Sequence, residues 1–85
     1  MKEFVYTIKD SIGIHARPAG MLAKLAKSFS SEVTIEKGEN SVNAAKLIML
    51  MGMGIKCGDT VTVKINGEDE EAAFSEIKAF FEANL

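Results

Sequence analysis

Apolar and polar positions alternate from Lys2 to Lys9, with Phe4, Tyr6 and Ile8 on one side and Glu3, Val5 and Thr7 on the other. That period of two predicts a strand. Ser11-Ile12-Gly13-Ile14 reads as a loop, after which the spacing changes. Ala19, Leu22, Ala23 and Ala26 recur at helical intervals between about Ala16 and Lys27, and Leu25 and Phe29 widen the stripe. Glu32–Glu36 alternates again with Val33 and Ile35 on one face. A turn at Lys37-Gly38-Glu39 leads into a weaker strand over Asn40–Ala44, so the two form a hairpin. Lys46–Met51 has room for little more than one helical turn before Gly52 and Gly54. Thr60–Ile65 alternates with Val61, Val63 and Ile65 inward. Asn66-Gly67 then turns the chain into an acidic run, Glu68–Glu71, that suits a helix N-terminus. Asp69 is the expected N-cap. Ala73, Ile77, Phe80 and Phe81, with Phe74, give the inward face of a last helix.

The predicted order is β-α-β-β-α-β-α. Amphipathic strands and helices in that order pack most simply as a sheet with helices on one face and water on the other, an α+β two-layer sandwich. The 85 residues, with no linker, repeat or low-complexity stretch, are expected to form one domain, 1–85. A chain this short buries roughly 60–65% of its unfolded surface, so it has one core and no deep pocket.

Composition and charge then narrow the chemistry. The longest uninterrupted apolar run is Leu47–Met51, far from the roughly 20 residues a bilayer span needs. Lys2, Glu3, Lys9 and Asp10 spoil any signal-peptide core. One cysteine, Cys57, excludes an internal disulfide and fits a reducing compartment, hence a cytoplasmic location. With one cysteine and one histidine, no metal site is expected, and no cofactor. A net charge of −2 argues against a nucleic-acid binder. The total conceals a gradient: residues 1–27 carry +3, residues 28–65 balance, and residues 66–85 carry −5. The basic first third suits an acidic partner.

The candidate chemistry lies in Gly13-Ile14-His15-Ala16-Arg17-Pro18-Ala19-Gly20. Pro18 is tolerated where a helix opens, because first-turn amides lack helical partners, and it positions the helix start. His15 then lies at or next to the N-cap, where its imidazole can sit over the free amides. That end of a helix attracts anions and disfavours the imidazolium, leaving a ring nitrogen as nucleophile. Arg17 brings a permanent cation whose fork fits phosphate oxygens. Together they describe a seat for a phosphoryl group on His15, in a shallow site where positioning and electrostatics suffice.

The run GIHARPA, at this position in a chain of this length, resembles the HPr family. These are the histidine-containing phosphocarriers of the bacterial phosphoenolpyruvate:sugar phosphotransferase system. The likeness extends over essentially the whole chain, through the strand at Glu32–Ile35, the glycines around Met51–Gly54 and the run Gly67-Glu68-Asp69-Glu70. It implies an open-faced β-sandwich, a four-stranded antiparallel sheet of order 1-4-2-3 with three helices on one face. It implies that His15 accepts a phosphoryl group on Nδ1 from enzyme I and passes it to enzyme IIA proteins for coupled sugar uptake. Arg17 would stabilise the group. Such a protein is a carrier rather than an enzyme, and a monomer is expected, with no membrane insertion.

The outward half of the first helix holds Arg17, Gly20, Met21, Lys24 and Lys27. The family docks partners on this face together with the short helix, which here implies Ala16, Gly20, Met21, Lys24, Lys27, Leu47, Ile48 and Met51. Met49 and Leu50 are expected to fill core gaps instead. Many relatives carry a regulatory serine at the start of the short helix; Lys46 stands there, so phosphorylation at that position is not expected. A regulatory paralogue acting through binding alone, or a carrier in a nitrogen-linked branch, are the alternative functions. Asp10, Ser11 and His15 are the residue types of a hydrolytic triad, but nothing predicts an oxyanion hole. Gly52, Gly54 and Gly58 miss the dinucleotide fingerprint spacing.

Overall fold

The structure is a computed structural model describing Met1–Leu85. Its elements run β1 (Lys2–Thr7), α1 (Ala16–Lys27), β2 (Glu32–Lys37), β3 (Asn40–Asn43), α2 (Leu47–Gly52), β4 (Thr60–Asn66) and α3 (Glu70–Asn84). The expected element order holds, with ends shifted by one or two residues. β1 stops at Thr7 because the β1–β4 register breaks at Ile8. Its amide still donates to the facing Asp59 carbonyl (2.9 Å), but its carbonyl accepts the Gly58 amide (2.8 Å) while the Asp59 amide turns to Lys56. The amides of Lys9 and Asp10 go to the Leu85 carbonyl (2.6 and 2.8 Å). The four strands form one antiparallel sheet in the order β1-β4-β2-β3.

Register aligns the apolar face. Phe4 pairs with Val63, Val63 with Ile35 and Ile35 with Val42, so one row of inward side chains crosses all four strands. Against this face pack Ala19, Leu22 and Ala26 of α1, Leu50 of α2, and Ala73, Ile77 and Phe81 of α3. Each fully buried Leu, Ile or Phe contributes about 1.5–3 kcal/mol of transfer free energy. Phe4 meets Phe74 and Phe81 edge-to-face at 5.6 and 5.5 Å, and Tyr6 meets Phe81 at 5.4 Å. These contacts clamp α3 onto β1 and bring its last turn to the loop that follows β1. The opposite sheet face is open: Val5 is 64% exposed.

Asp69 departs from the expectation. It occupies the N-cap position of α3, but its side chain makes no cap bond. The carboxylate instead accepts the amides of Ser30 and Ser31 (both 2.9 Å) and the Ser31 hydroxyl, joining the chain after α1 to the start of α3. Three converging donors outcompete a single first-turn amide. The Ser31 hydroxyl first, then the Ser30 amide, hold the Asp69 carboxyl below its ordinary value of 3.8. A carboxyl with a lowered folded pKa stabilises fully above its unfolded pKa, and the contribution is lost as pH falls through the folded value. The Tm gap between the protein and Asp69→Asn is expected to be constant above about pH 5 and to close toward acid pH. A gap independent of pH would remove the carboxylate from this role.

Candidate functional site

The loop between β1 and α1 is held from three sides. Ile8 exchanges bonds with the 58–59 turn, its amide to the Asp59 carbonyl (2.9 Å) and its carbonyl to the Gly58 amide (2.8 Å). Lys9 and Asp10 donate to Leu85 at the end of α3, and Ile14 donates to the Ile55 carbonyl (3.1 Å). Within the loop, the Gly13 amide closes a turn onto the Asp10 carbonyl (3.0 Å) while the Asp10 carboxylate accepts the Ile12 amide (3.2 Å). Buried Ile14 then anchors the chain just before His15.

His15 is the N-cap of α1, with extended backbone (φ −108°, ψ −176°), and its carbonyl receives the Ala19 amide at 2.9 Å. The backbone position is the expected one; the side chain is not. The imidazole makes no cap bond. One contributor lies in the first turn: Pro18 occupies the third helical position and has no N–H, which removes one of the two amides that serve an N-cap side chain and leaves only that of Arg17. The ring instead turns Nε2 toward Asp10 Oδ2, 3.8 Å away, with 39% of the side chain exposed. The amides of Ala16 and Arg17, ahead of the first helical bond, remain directed out of the helix.

Arg17 is exposed and forms no ion pair within the chain. With His15, Pro18, Met21 and Asn84 it lines a shallow depression of about 240 Å³ open to solvent. The His15 ring and the unpaired Arg17 side chain border the same small space at the open end of α1, an arrangement suited to holding a tetrahedral anion. No three His, Cys, Asp or Glu side chains converge anywhere in the chain.

The predicted docking residues are distributed unevenly. Ala16, Arg17, Met21, Lys24 and Lys27 are exposed on α1, with Gly20 partly covered. Met21 adjoins the His15 depression, and Lys27 meets Leu47 and Ile48 in a hollow between α1 and α2. Lys24 lies on the other flank, along a groove with Leu25 and Phe80 toward α3. Ile48 is 85% exposed, and Leu47 and Met51 also face solvent. Leu50 is buried as expected, but Met49 is exposed, contrary to its expected core role. Six residues of helix turn only one side chain fully inward, and Leu50 takes that place. Lys46 is the exposed N-cap of α2.

Asn84 lies in the site without any sequence signal, since only the packing of α3 on β1 carries it there. Asp10 had a signal in the Asp-Ser-Ile-Gly turn pattern, which places a carboxylate over nearby amides.

A family model described as the PTS HPr component phosphorylation site matches residues 2–83. The phosphocarrier protein HPr of Mycoplasma genitalium is 45% identical over 99% of this chain and 97% of its own length. That of Mycoplasma pneumoniae is 42% identical over 96% and 94%. Among solved structures, a Mycoplasma histidine-containing phosphocarrier protein superposes with a TM-score of 0.90 at 39% identity, covering 93% of this chain and 90% of the other. The HPr-C-His protein of Thermoanaerobacter tengcongensis gives 0.92 at 36% identity, covering 98% and 93%.

Proposed function

The chain belongs to the HPr family, the phosphocarriers of the phosphotransferase system, and from that premise we propose that His15 is the residue that carries the phosphoryl group. Its Nδ1 lone pair attacks the phosphorus held on enzyme I. An N–P bond forms on His15 as the bond to the donor breaks and its electron pair returns to the donor. The reverse sequence at an enzyme IIA delivers the group for coupled sugar uptake. The Arg17 guanidinium pairs with the phosphoryl oxygens, the Ala16 and Arg17 amides donate to them, and Pro18 keeps the helix start rigid. The observation that carries this reading is a half-exposed imidazole at the head of α1 beside an arginine with no partner of its own.

In this reading the acting unit is a monomer, residues 1–85, working in the cytoplasm. Met21, Leu47, Ile48 and Met51, edged by Lys27, form an apolar docking face, with Ala16 and Gly20 beside the reacting group and Lys24 steering from the α3 flank. Lys46 offers no hydroxyl, so regulation by serine phosphorylation at that place is absent from this reading. A binding-only role leaves the His15–Arg17 pair without a use.

Incubation with enzyme I and phosphoenolpyruvate is expected to yield an acid-labile, alkali-stable phosphoryl adduct by mass spectrometry. A wild-type protein that takes no adduct would sink the reading. Arg17→Gln is expected to slow transfer by about ten- to a hundredfold, the equivalent of one charge-assisted hydrogen bond. Rates equal to wild type in a stopped-quench assay would remove Arg17 from the chemistry.

A further inference from the structure

We propose that Asp10 is a positioning residue for His15, holding the imidazole in the Nε2–H form so that Nδ1 keeps its lone pair for phosphorus. The inference rests on the phosphocarrier reading and adds a second side chain to it. The Asp10 carboxylate is itself fixed in place. Its residue's amide donates to the Leu85 carbonyl, its carbonyl accepts the Gly13 amide, and its Oδ2 accepts the Ile12 amide. The same Oδ2 faces His15 Nε2 at 3.8 Å. That separation exceeds a hydrogen bond by less than 1 Å, a gap that a small ring rotation or one bridging water closes, and such contacts are often long before a substrate arrives.

The electrostatics follow from which nitrogen faces the carboxylate. A proton on Nε2 lies against negative charge and is favoured; a lone pair there is repelled. The nitrogen left unprotonated is Nδ1, across the ring. As Nδ1 bonds to phosphorus and the donor bond breaks, positive charge spreads over the ring, and Asp10 stabilises it through the Nε2 proton. In onward transfer the Nδ1–P bond breaks and its electron pair returns to Nδ1, with the proton still on Nε2. The ring therefore leaves as a neutral imidazole, and no proton has to move during either step. A second partner residue orienting one ring nitrogen so that the other can react is a recurrent arrangement around functional histidines.

Of the other charged groups on the elements around His15, Arg17 shares its depression and Lys56 stands behind Gly13, while Lys9 in the loop, Lys24 and Lys27 further along α1 and Glu82 in α3 make no ion pair with the ring; α3 presents the neutral Asn84 to the site. Arg17 lies on the phosphoryl side, and neither cation attracts a proton to Nε2. Asp10 is the one carboxylate paired with the ring.

Asp10→Asn tests this, because the amide oxygen still accepts the Ile12 N–H while the charge is gone. ¹⁵N shifts of the His15 ring, measured on the unphosphorylated protein, are expected to show Nε2–H dominating in wild type. In Asp10→Asn the Nδ1–H share should rise several-fold, with the Ile12 and Gly13 amide resonances unmoved. Phosphoryl uptake should fall about five- to tenfold, in keeping with one partly exposed charge about 4 Å away. An unchanged tautomer ratio overturns the inference even if transfer slows, since Asp10 would then only shape the loop. An unchanged rate overturns it even if the tautomers shift. Failure of the wild type to accept any phosphoryl group would instead sink the phosphocarrier reading, and the ring spectra would still report on Asp10.

Discussion

His15→Ala is expected to abolish phosphoryl acceptance altogether while leaving the fold intact. Nothing else in the chain offers the same chemistry. Cys57 is exposed, but it sits on the turn before β4 with its Sγ directed at the Lys9 carbonyl (3.8 Å), away from the amides and guanidinium at the head of α1. Ser11 lies in the loop, yet a hydroxyl needs a base and a donor set to attack phosphorus, and the Asp10 carboxylate beside it is engaged with the Ile12 amide. Arg17 would remain beside an empty depression as a binding group with no nucleophile to serve. Stability should hardly change, because the imidazole makes no cap bond and is half-exposed. A shift within about 0.5 kcal/mol is expected. Mass spectrometry after incubation with enzyme I and phosphoenolpyruvate reads the first effect, and a urea titration the second. An adduct persisting on His15→Ala would mean that the phosphoryl group lives elsewhere.

What the chain reveals before folding divides along physical lines. The β1, β2 and β4 strands and both long helices were legible because each buries one face, and burial of one face imposes a period that Phe4-Tyr6-Ile8 or Ala19-Leu22-Ala26 displays directly. The pairing of β1 with β4 had no such local signal. It joins Phe4 to Val63 across most of the chain, and only likeness to a known family supplied it beforehand. The head of α1 was legible as backbone, since Pro18 and the residues before it mark a helix start. The direction of the His15 ring was not, because it depends on a carboxylate five residues earlier, with the proline removing one of the two competing amide donors. Asp69 failed for a similar reason: a local rule assigned it to its own helix, and Ser30 and Ser31, 38 or more residues away, made the better offer. Met49 failed because six residues are too few for periodicity to distinguish an inward side chain from its neighbour.

Gly13→Ala is expected to damage stability and transfer together, and Gly54→Ala separates the two causes. Gly13 has φ +84°, and a Cβ there would lie 2.5 Å from the Ile55 carbonyl oxygen and 2.7 Å from the Lys56 Cα. Both neighbours are backbone, so no flexible side chain can move aside. The left-handed conformation costs about 1–2 kcal/mol and forced overpacking about 1–3 kcal/mol more. Against a total stability of roughly 4–13 kcal/mol for a domain of this length, the loss is severe. Gly54 has φ +64° with open space around it, so alanine there meets only the conformational cost. Its Tm should fall by about 4–8 °C per kcal/mol lost, and that of Gly13→Ala by about twice as much or more. The transfer defect is expected for Gly13→Ala alone. Relief of its clash pushes the loop off the 55–56 backbone, stretching the Ile14–Ile55 bond and carrying Asp10 and His15 with it. A displacement of about 1 Å at a reacting group can cost on the order of 100-fold in rate. Urea titrations of both variants, with transfer measured well below their melting temperatures, decide the matter. Equal losses at the two glycines would mean that the loop yields freely, and that the tight seat against Ile55 and Lys56 does not hold His15 in place.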